Sequence, residues 1–207
     1  MFRAYLFDLD GTLVDSEPWH LKSEVEIFGQ FGWPLTEEQL HPIMGTTLPG
    51  MLDYLAKTYG VRVGVDEFLE VSQVVLGRHI RDDMNLFLET APFLEELGDV
   101  RKAIVTSSLP WYVSEVFAKF PSLPESMEFT ICGADVERGK PDPEPYLIAI
   151  DRMGLRADEC CVFEDSRNGV ASAKAAGCYV VGVNRVPGQV DDAHEIVPML
   201  RHPSPTI

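Results

Sequence analysis

Asp8 and Asp10 stand either side of Leu9 at the end of an apolar run, in AYLFDLDGTLVD, and Gly11 and Thr12 follow at once. Aspartate suits a strand poorly, and two like charges this close repel each other, so the pair needs a chemical reason. Carboxylates at this spacing can divide two jobs, nucleophilic attack and general acid–base transfer. Further on, Thr106 and Ser107 close the run KAIVTS, Lys140 precedes Pro141 in GKPDPEPY, and Glu164 and Asp165 close CCVFED. Four carboxylates gathered in a dry pocket would suffer large pKa shifts. A hard divalent cation removes that conflict, and Mg²⁺ favours one or two carboxylates, water and a substrate phosphate. With Mg²⁺ in place, Asp8 is the candidate nucleophile towards phosphorus, forming an aspartyl-phosphate. Asp10 then protonates the leaving oxygen and later deprotonates the attacking water. Thr106 or Ser107 donates to phosphoryl oxygens, Lys140 supplies fixed positive charge, and Asp165 completes the metal site.

These residues must be brought together by the elements that carry them. Short apolar runs begin at Ala4, Lys102, Cys160 and Tyr179, with a weaker one, EFTICG, at Glu128. Such runs suit strands buried on both faces of a parallel sheet. Helical signals lie between them. Ser108 is the expected N-cap of SSLPWYVSEVFAKF; Asp142 caps a helix opened by Pro143 and stopped by Gly154; SRNGVASAKAAGC makes a short helix ending at Gly177. Alternating strand and helix predicts an α/β fold with a doubly wound, Rossmann-like parallel sheet. Ligands of such sheets bind outside the carboxyl ends of the strands, where strand order reverses. That is where each run releases its polar residues.

Residues 16–89 break the alternation. Thr36 and Gln39 form a capping box, and Phe68, Leu69, Ser72, Val75, Leu76, His79 and Ile80 fall near one helical face. No strand is expected there. The domains are therefore an α/β core over 1–15 and 90–207, and an all-helical insert over 16–89. The tail RHPSPTI reads as loose.

The 207 residues carry 17 Lys plus Arg against 33 Asp plus Glu, a formal charge of −16, which argues against nucleic-acid or anionic-membrane partners. A small anionic substrate needs only local positive charge. No run approaches the ~20 apolar residues of a membrane span, and the N-terminus lacks the pattern of a signal peptide. Cys132, Cys160, Cys161 and Cys178 have no metal-binding spacing and read as buried free thiols in a reducing compartment. The expectation is a cytoplasmic monomer, the latter from the lack of a sustained heptad or exposed apolar stripe.

DLDGTLVDSE, Thr106-Ser107-Ser108, GKPDPEPY and FEDSRNG resemble, in order, the four motifs of the haloacid dehalogenase superfamily. The helical insert is similar to the cap of its β-phosphoglucomutase and sugar-phosphatase branch. The resemblance implies an Asp8 nucleophile, an Asp10 acid/base, and Mg²⁺ held by Asp8, the Asp10 carbonyl and Asp165. It suggests a metal or supporting role for Glu164, with a surface carboxylate as the alternative. Asn168 either bonds near the metal or sits in a helix's first turn. His20 matches a histidine beside the active site in the mutase branch, with a packed or exposed helix histidine as the alternative. Arg78, His79 and Arg81 read as a solvated helix face.

The reading is a Mg²⁺-dependent phosphatase acting on a small phosphorylated metabolite, a sugar or polyol phosphate. Asp10 argues against dehalogenation, which has no alkoxide to protonate. A β-phosphoglucomutase-like mutase is the alternative. That branch holds the distal phosphate with an arginine, and Gly45–Leu52, the corresponding stretch, contains no arginine or lysine. A phosphoaspartate signalling or binding protein would need neither the insert nor Asp10.

Overall fold

The computed structural model describes residues 2–43 and 47–204. Gly45 and Thr46 of the arginine-free stretch, and the last three residues of the tail, lie outside the described residues. In chain order the elements are β1 (Ala4–Phe7), β2 (Val14–Asp15), α1 (Glu17–Gln30), α2 (Glu37–Leu40), α3 (Leu48–Tyr59) and α4 (Val65–Asp82). They continue with β3 (Asn85–Leu86), α5 (Thr90–Glu96), β4 (Arg101–Val105), α6 (Pro110–Lys119), α7 (Ser122–Glu125) and β5 (Phe129–Ile131). Last come α8 (Glu144–Met153), β6 (Cys160–Glu164), α9 (Arg167–Ala175), β7 (Tyr179–Val183) and β8 (Glu195–Val197).

Six strands form one sheet in the order β5-β4-β1-β6-β7-β8, every pairing parallel. β1 lies in the middle, with Leu6 opposite Ala103 on one side and Val162 on the other. From β1 the chain runs outward through β4 and β5, then crosses back to β6, so the order reverses beside β1. All four residues of β1 are buried, because both faces of the sheet are covered. Alternate side chains serve alternate faces. Ala4, Leu6, Ala103, Val105, Val162 and Val180 join Tyr146, Ala149 and Ile150 of α8 and Val170 and Ala173 of α9 in one core. On the other face Phe7 stacks on Phe163, ring centroids 5.2 Å apart, and Phe93 of α5 meets Phe163 edge-on.

The chain divides into two compact units, residues 1–15 with 85–207, and residues 16–84. Residues 85–89, given to the insert on sequence grounds, thus lie with the sheet. The expected absence of strands there is corrected by β3, which pairs antiparallel with β2, Val14 opposite Leu86 and Asp15 opposite Asn85. The second unit is helical and has its own core, built from Ile27, Phe28, Leu40, Leu55, Phe68 and Val75. Its capping box forms: Gln39 Oε1 accepts the Thr36 N–H at 2.9 Å.

Two caps differ from expectation. Leu109, not Ser108, is the N-cap of α6, and Pro143, not Asp142, that of α8. The Ser108 side chain is engaged on Asp10, whereas Asp142 Oδ1, one residue further out than expected, still accepts the N–H of Glu144, the first residue of α8. Cys160, Cys161 and Cys178 are buried and free. Burial pushes the Cys160 thiol up to about 11 and Cys178 up to about 12, so both stay protonated.

Candidate active site

The site begins where β1 ends. The Asp8 N–H extends the ladder to the Phe163 carbonyl at 3.0 Å, and then the chain turns sharply, with Gly11 N bonded to Val14 O at 2.9 Å. Gly11 has φ +73°, and a Cβ there would lie 2.0 Å from Asp165 Oδ2. Conformation and close approach both demand glycine. The close approach brings Asp165, just past β6, onto the β1 loop, where its Oδ1 accepts from the Thr12 hydroxyl at 3.2 Å.

Lys140 is the hub. Its ammonium donates to Asp8 Oδ1 at 2.6 Å, Glu164 Oε1 at 2.6 Å and the Val105 carbonyl at 2.8 Å. An ammonium has three donors, so each is used, one towards each of the strands β1, β6 and β4. Glu164, wholly buried, also accepts from Tyr146 OH at 3.0 Å, while its Oε2 takes the Ser166 N–H and hydroxyl at 3.2 and 3.0 Å. A carboxylate offers about four acceptor sites. Those of Glu164 are taken up by protein donors, which makes it a support for Lys140. Gly169 permits this: a Cβ there would fall 1.7 Å from Glu164 Oε1.

Asp10 is held separately. Its Oδ2 accepts from the Ser108 hydroxyl at 2.6 Å and its Oδ1 from the Tyr112 hydroxyl. Thr106 is buried, its N–H bonded to the Ile131 carbonyl and its Oγ1 accepting from Ser108 N at 3.0 Å. Ser107 beside it is exposed. Asn168 is exposed on the first turn of α9. His20 belongs to the helical unit. There Arg78 pairs with Glu26, and His79 bonds Asp83 and stacks on Trp19, so this basic group is tied into its own surface network. Tyr112, Tyr146 and the second role of Ser108 were not anticipated. Tyr146 and Tyr112 lie in ordinary helical sequence, and no spacing rule marks either.

The electrostatics show a surplus of negative charge. Burial raises Asp8 well above the usual carboxylate range; Lys140 opposes this, while Glu164, Asp165 and Asp10 add to it. Asp165 is pushed up to about 8, by burial first and Glu164 second. Burial works against the charge on Lys140, yet Asp8 and Glu164 outweigh it and raise its pKa. A carboxylate oxygen of each of Asp8, Glu164 and Asp165 lies within 4.8 Å of the others, and with Glu164 satisfied by protein donors the oxygens left to a cation are those of Asp8 and Asp165. An all-oxygen donor set with uncompensated charge fits a hard divalent cation.

Residues 5–183 match the haloacid dehalogenase-like hydrolases. The chain belongs to that family. A phosphorylated carbohydrates phosphatase from Thermotoga maritima is 27% identical over 197 residues, covering 93% of this chain and 88% of that protein. Hexitol phosphatase A from Escherichia coli is 33% identical over 190 residues, covering 88% and 83%. Among solved structures, CbbY from Rhodobacter sphaeroides in complex with phosphate shares the fold with a TM-score of 0.85, at 21% identity over 96% of this chain and 95% of that one. Within a haloacid dehalogenase-like hydrolase, the Asp8–Lys140–Glu164 cluster lies at the sheet's reversal point, where the fold directs its ligands.

Proposed function

We propose that this chain is a Mg²⁺-dependent phosphatase that hydrolyses a small phosphorylated metabolite, a sugar or polyol phosphate, through an aspartyl-phosphate on Asp8. The observation that carries it is the pairing of Asp8 with Lys140 at 2.6 Å while Asp10 is held apart on Ser108 and Tyr112. Nucleophile and acid/base have different partners, as different roles require. The names of the Thermotoga and Escherichia relatives support the substrate class.

An oxygen of Asp8 attacks phosphorus as the ester P–O bond breaks, and Asp10 gives its proton to the departing oxygen. Asp10, now a carboxylate, takes a proton from water; that water's oxygen displaces Asp8 from phosphorus and frees phosphate. Lys140 fixes Asp8 and offsets charge on the transferring group, and Thr106 and Ser107 present donors at the end of β4. Mg²⁺, held by Asp8, the Asp10 carbonyl and Asp165, supplies charge neutralisation at the phosphoryl oxygens. Glu164 is assigned to Lys140. The helical unit, with His20, is assigned to substrate selection and water exclusion.

The test is phosphate release from sugar, polyol and small-acid phosphates, with Mg²⁺ or EDTA, and with Asp8→Asn as control. Metal-dependent release that vanishes in the variant supports the proposal. Full activity in Asp8→Asn, or in EDTA, overturns it. Interconversion of sugar-phosphate isomers without phosphate release would replace it with a mutase.

A further inference from the structure

Asp10 is clamped through both oxygens, a feature that the motif around Asp8 does not explain. Ser108 Oγ donates to Oδ2 at 2.6 Å and Tyr112 OH to Oδ1. Both donors come from the segment after β4, far downstream in the chain, and two donors on two oxygens fix the plane of a carboxylate as well as its rotamer. The donors are themselves held. Tyr112 is buried in the first turn of α6, and its ring meets Trp111 edge-on. Ser108 gives its N–H to Thr106 Oγ1 at 3.0 Å, and its carbonyl receives the Gly133 N–H at 2.9 Å. Gly133 packs so closely on this turn that a Cβ would lie 2.5 Å from the Ser107 carbonyl. A buried tyrosine is packed by its apolar ring while its hydroxyl takes a hydrogen-bond partner, and here that partner is Asp10 Oδ1.

We propose that Tyr112, with Ser108, is a positioning residue that aims Asp10 at the leaving oxygen, and so determines how well the enzyme turns over esters with poor leaving groups. This rests on the phosphatase reading and deepens it. Alkyl phosphates such as sugar and polyol phosphates leave as alkoxides and need Asp10's proton in the transition state. An aryl phosphate such as p-nitrophenyl phosphate leaves as a stable anion and does not. General acid help contributes about 10²–10⁴-fold and depends on the donor being within hydrogen-bond reach of the oxygen it serves. Losing the clamp forfeits part of that factor for alkyl esters only.

The experiment compares kcat/KM for a hexitol phosphate and for p-nitrophenyl phosphate in wild type, Tyr112→Phe, Ser108→Ala, Asp10→Asn and the Tyr112→Phe/Asp10→Asn double variant. kcat/KM covers only the steps up to departure of the leaving group, so the later hydrolysis of the aspartyl-phosphate does not enter. Tyr112→Phe is expected to lose about tenfold or more on the hexitol phosphate and less than about threefold on the aryl ester. In the Asp10→Asn background, the same change should have no further effect on the alkyl ester, because the group it aims is gone. Equal losses on both esters, or full additivity with Asp10→Asn, would overturn the proposal. If Tyr112→Phe fails to fold, Ser108→Ala reads the other oxygen of the same clamp against the same criteria. Wild type inactive on every phosphate ester would instead defeat the phosphatase reading itself.

Discussion

Lys140 spends its three donors on Asp8, Glu164 and the Val105 carbonyl, and Glu164 spends its acceptors on Lys140, Tyr146 and Ser166. The lone pairs still open to a cation therefore belong mainly to Asp8 and Asp165, and the charge they carry sets a pH dependence. Asp165 rises from an ordinary 3.8 to about 8, through burial and then Glu164. A carboxyl raised on folding keeps a proton that the unfolded chain has released. Its contribution is fully present below the ordinary value and is lost as pH climbs towards about 8. Metal-free protein should therefore melt at progressively lower temperature as pH rises through that window. Mg²⁺ competes with the proton, so the increase in Tm that it gives should grow over the same range. Melting curves in EDTA and in Mg²⁺ at several pH values check this, with Asp165→Asn expected to flatten both trends. An increase from Mg²⁺ that is independent of pH would contradict it. The meeting of Asp8, Lys140 and Asp165 was legible in the sequence because each is a polar residue where an apolar run stops or a loop turns. The saturation of Glu164 was not, since its partners come from a helix, a loop and a cap that no local pattern connects.

At the scale of elements, the loop after β7 reaches back across the sheet. Arg185 pairs with Glu89 at 2.6 Å, donates to the Gly11 carbonyl at 3.2 Å and lies over the Phe87 ring at 3.6 Å. One guanidinium thus ties the loop after β1 to the segment that follows β3. Burial works to raise the pKa of Glu89, but the hydrogen bond and charge of Arg185 outweigh it, and the carboxyl titrates below its ordinary value. The pair is less than one-fifth exposed on both sides, 16% and 19%, so solvent screening is partial. A depressed carboxyl contributes stability above its unfolded pKa and loses it as pH falls through the folded one. Arg185→Gln should cost about 1.5–3 kcal/mol at neutral pH, the range for a hydrogen bond to a charged group, and the deficit should shrink below about pH 4. Urea denaturation of both proteins at neutral and acid pH measures it; an equal deficit at both would mean that Glu89 is not the partner that matters. β1, β4, β6 and β7 could be read from sequence because burial on both faces leaves a run of at least three apolar residues in each. β8, at the sheet's edge with Ile196 exposed, and the two-residue strands β2 and β3 carry no such run.

Two of the molecule's cores, among the described residues, share no residue. One spans β1, β4, β6 and β7 with α8 and α9, and the other lies wholly within α1–α4 and the loops between them. The helical unit leaves and rejoins the sheet unit through the antiparallel pair β2–β3, where Asp15 lies opposite Asn85. Directly opposed residues in such a pair are about 4.5–5.5 Å apart, a gap that a two-residue Asn-Gly turn closes. Replacing residues 16–84 by Asn-Gly removes none of the residues of the core that the sheet shares with α8 and α9, and none of Asp8, Asp10, Lys140, Glu164 or Asp165. The shortened protein should fold cooperatively, with melting followed by circular dichroism. It should still release phosphate from p-nitrophenyl phosphate with Mg²⁺, though more slowly, because the parts that hold phosphoryl groups are intact. Its preference among sugar and polyol phosphates should collapse, with kcat/KM values converging across the panel, if selection resides in the helical unit. A shortened protein that ranks those substrates as the full chain does would place specificity in the sheet unit, and one that never folds would show that the sheet's core depends on the helices for its stability.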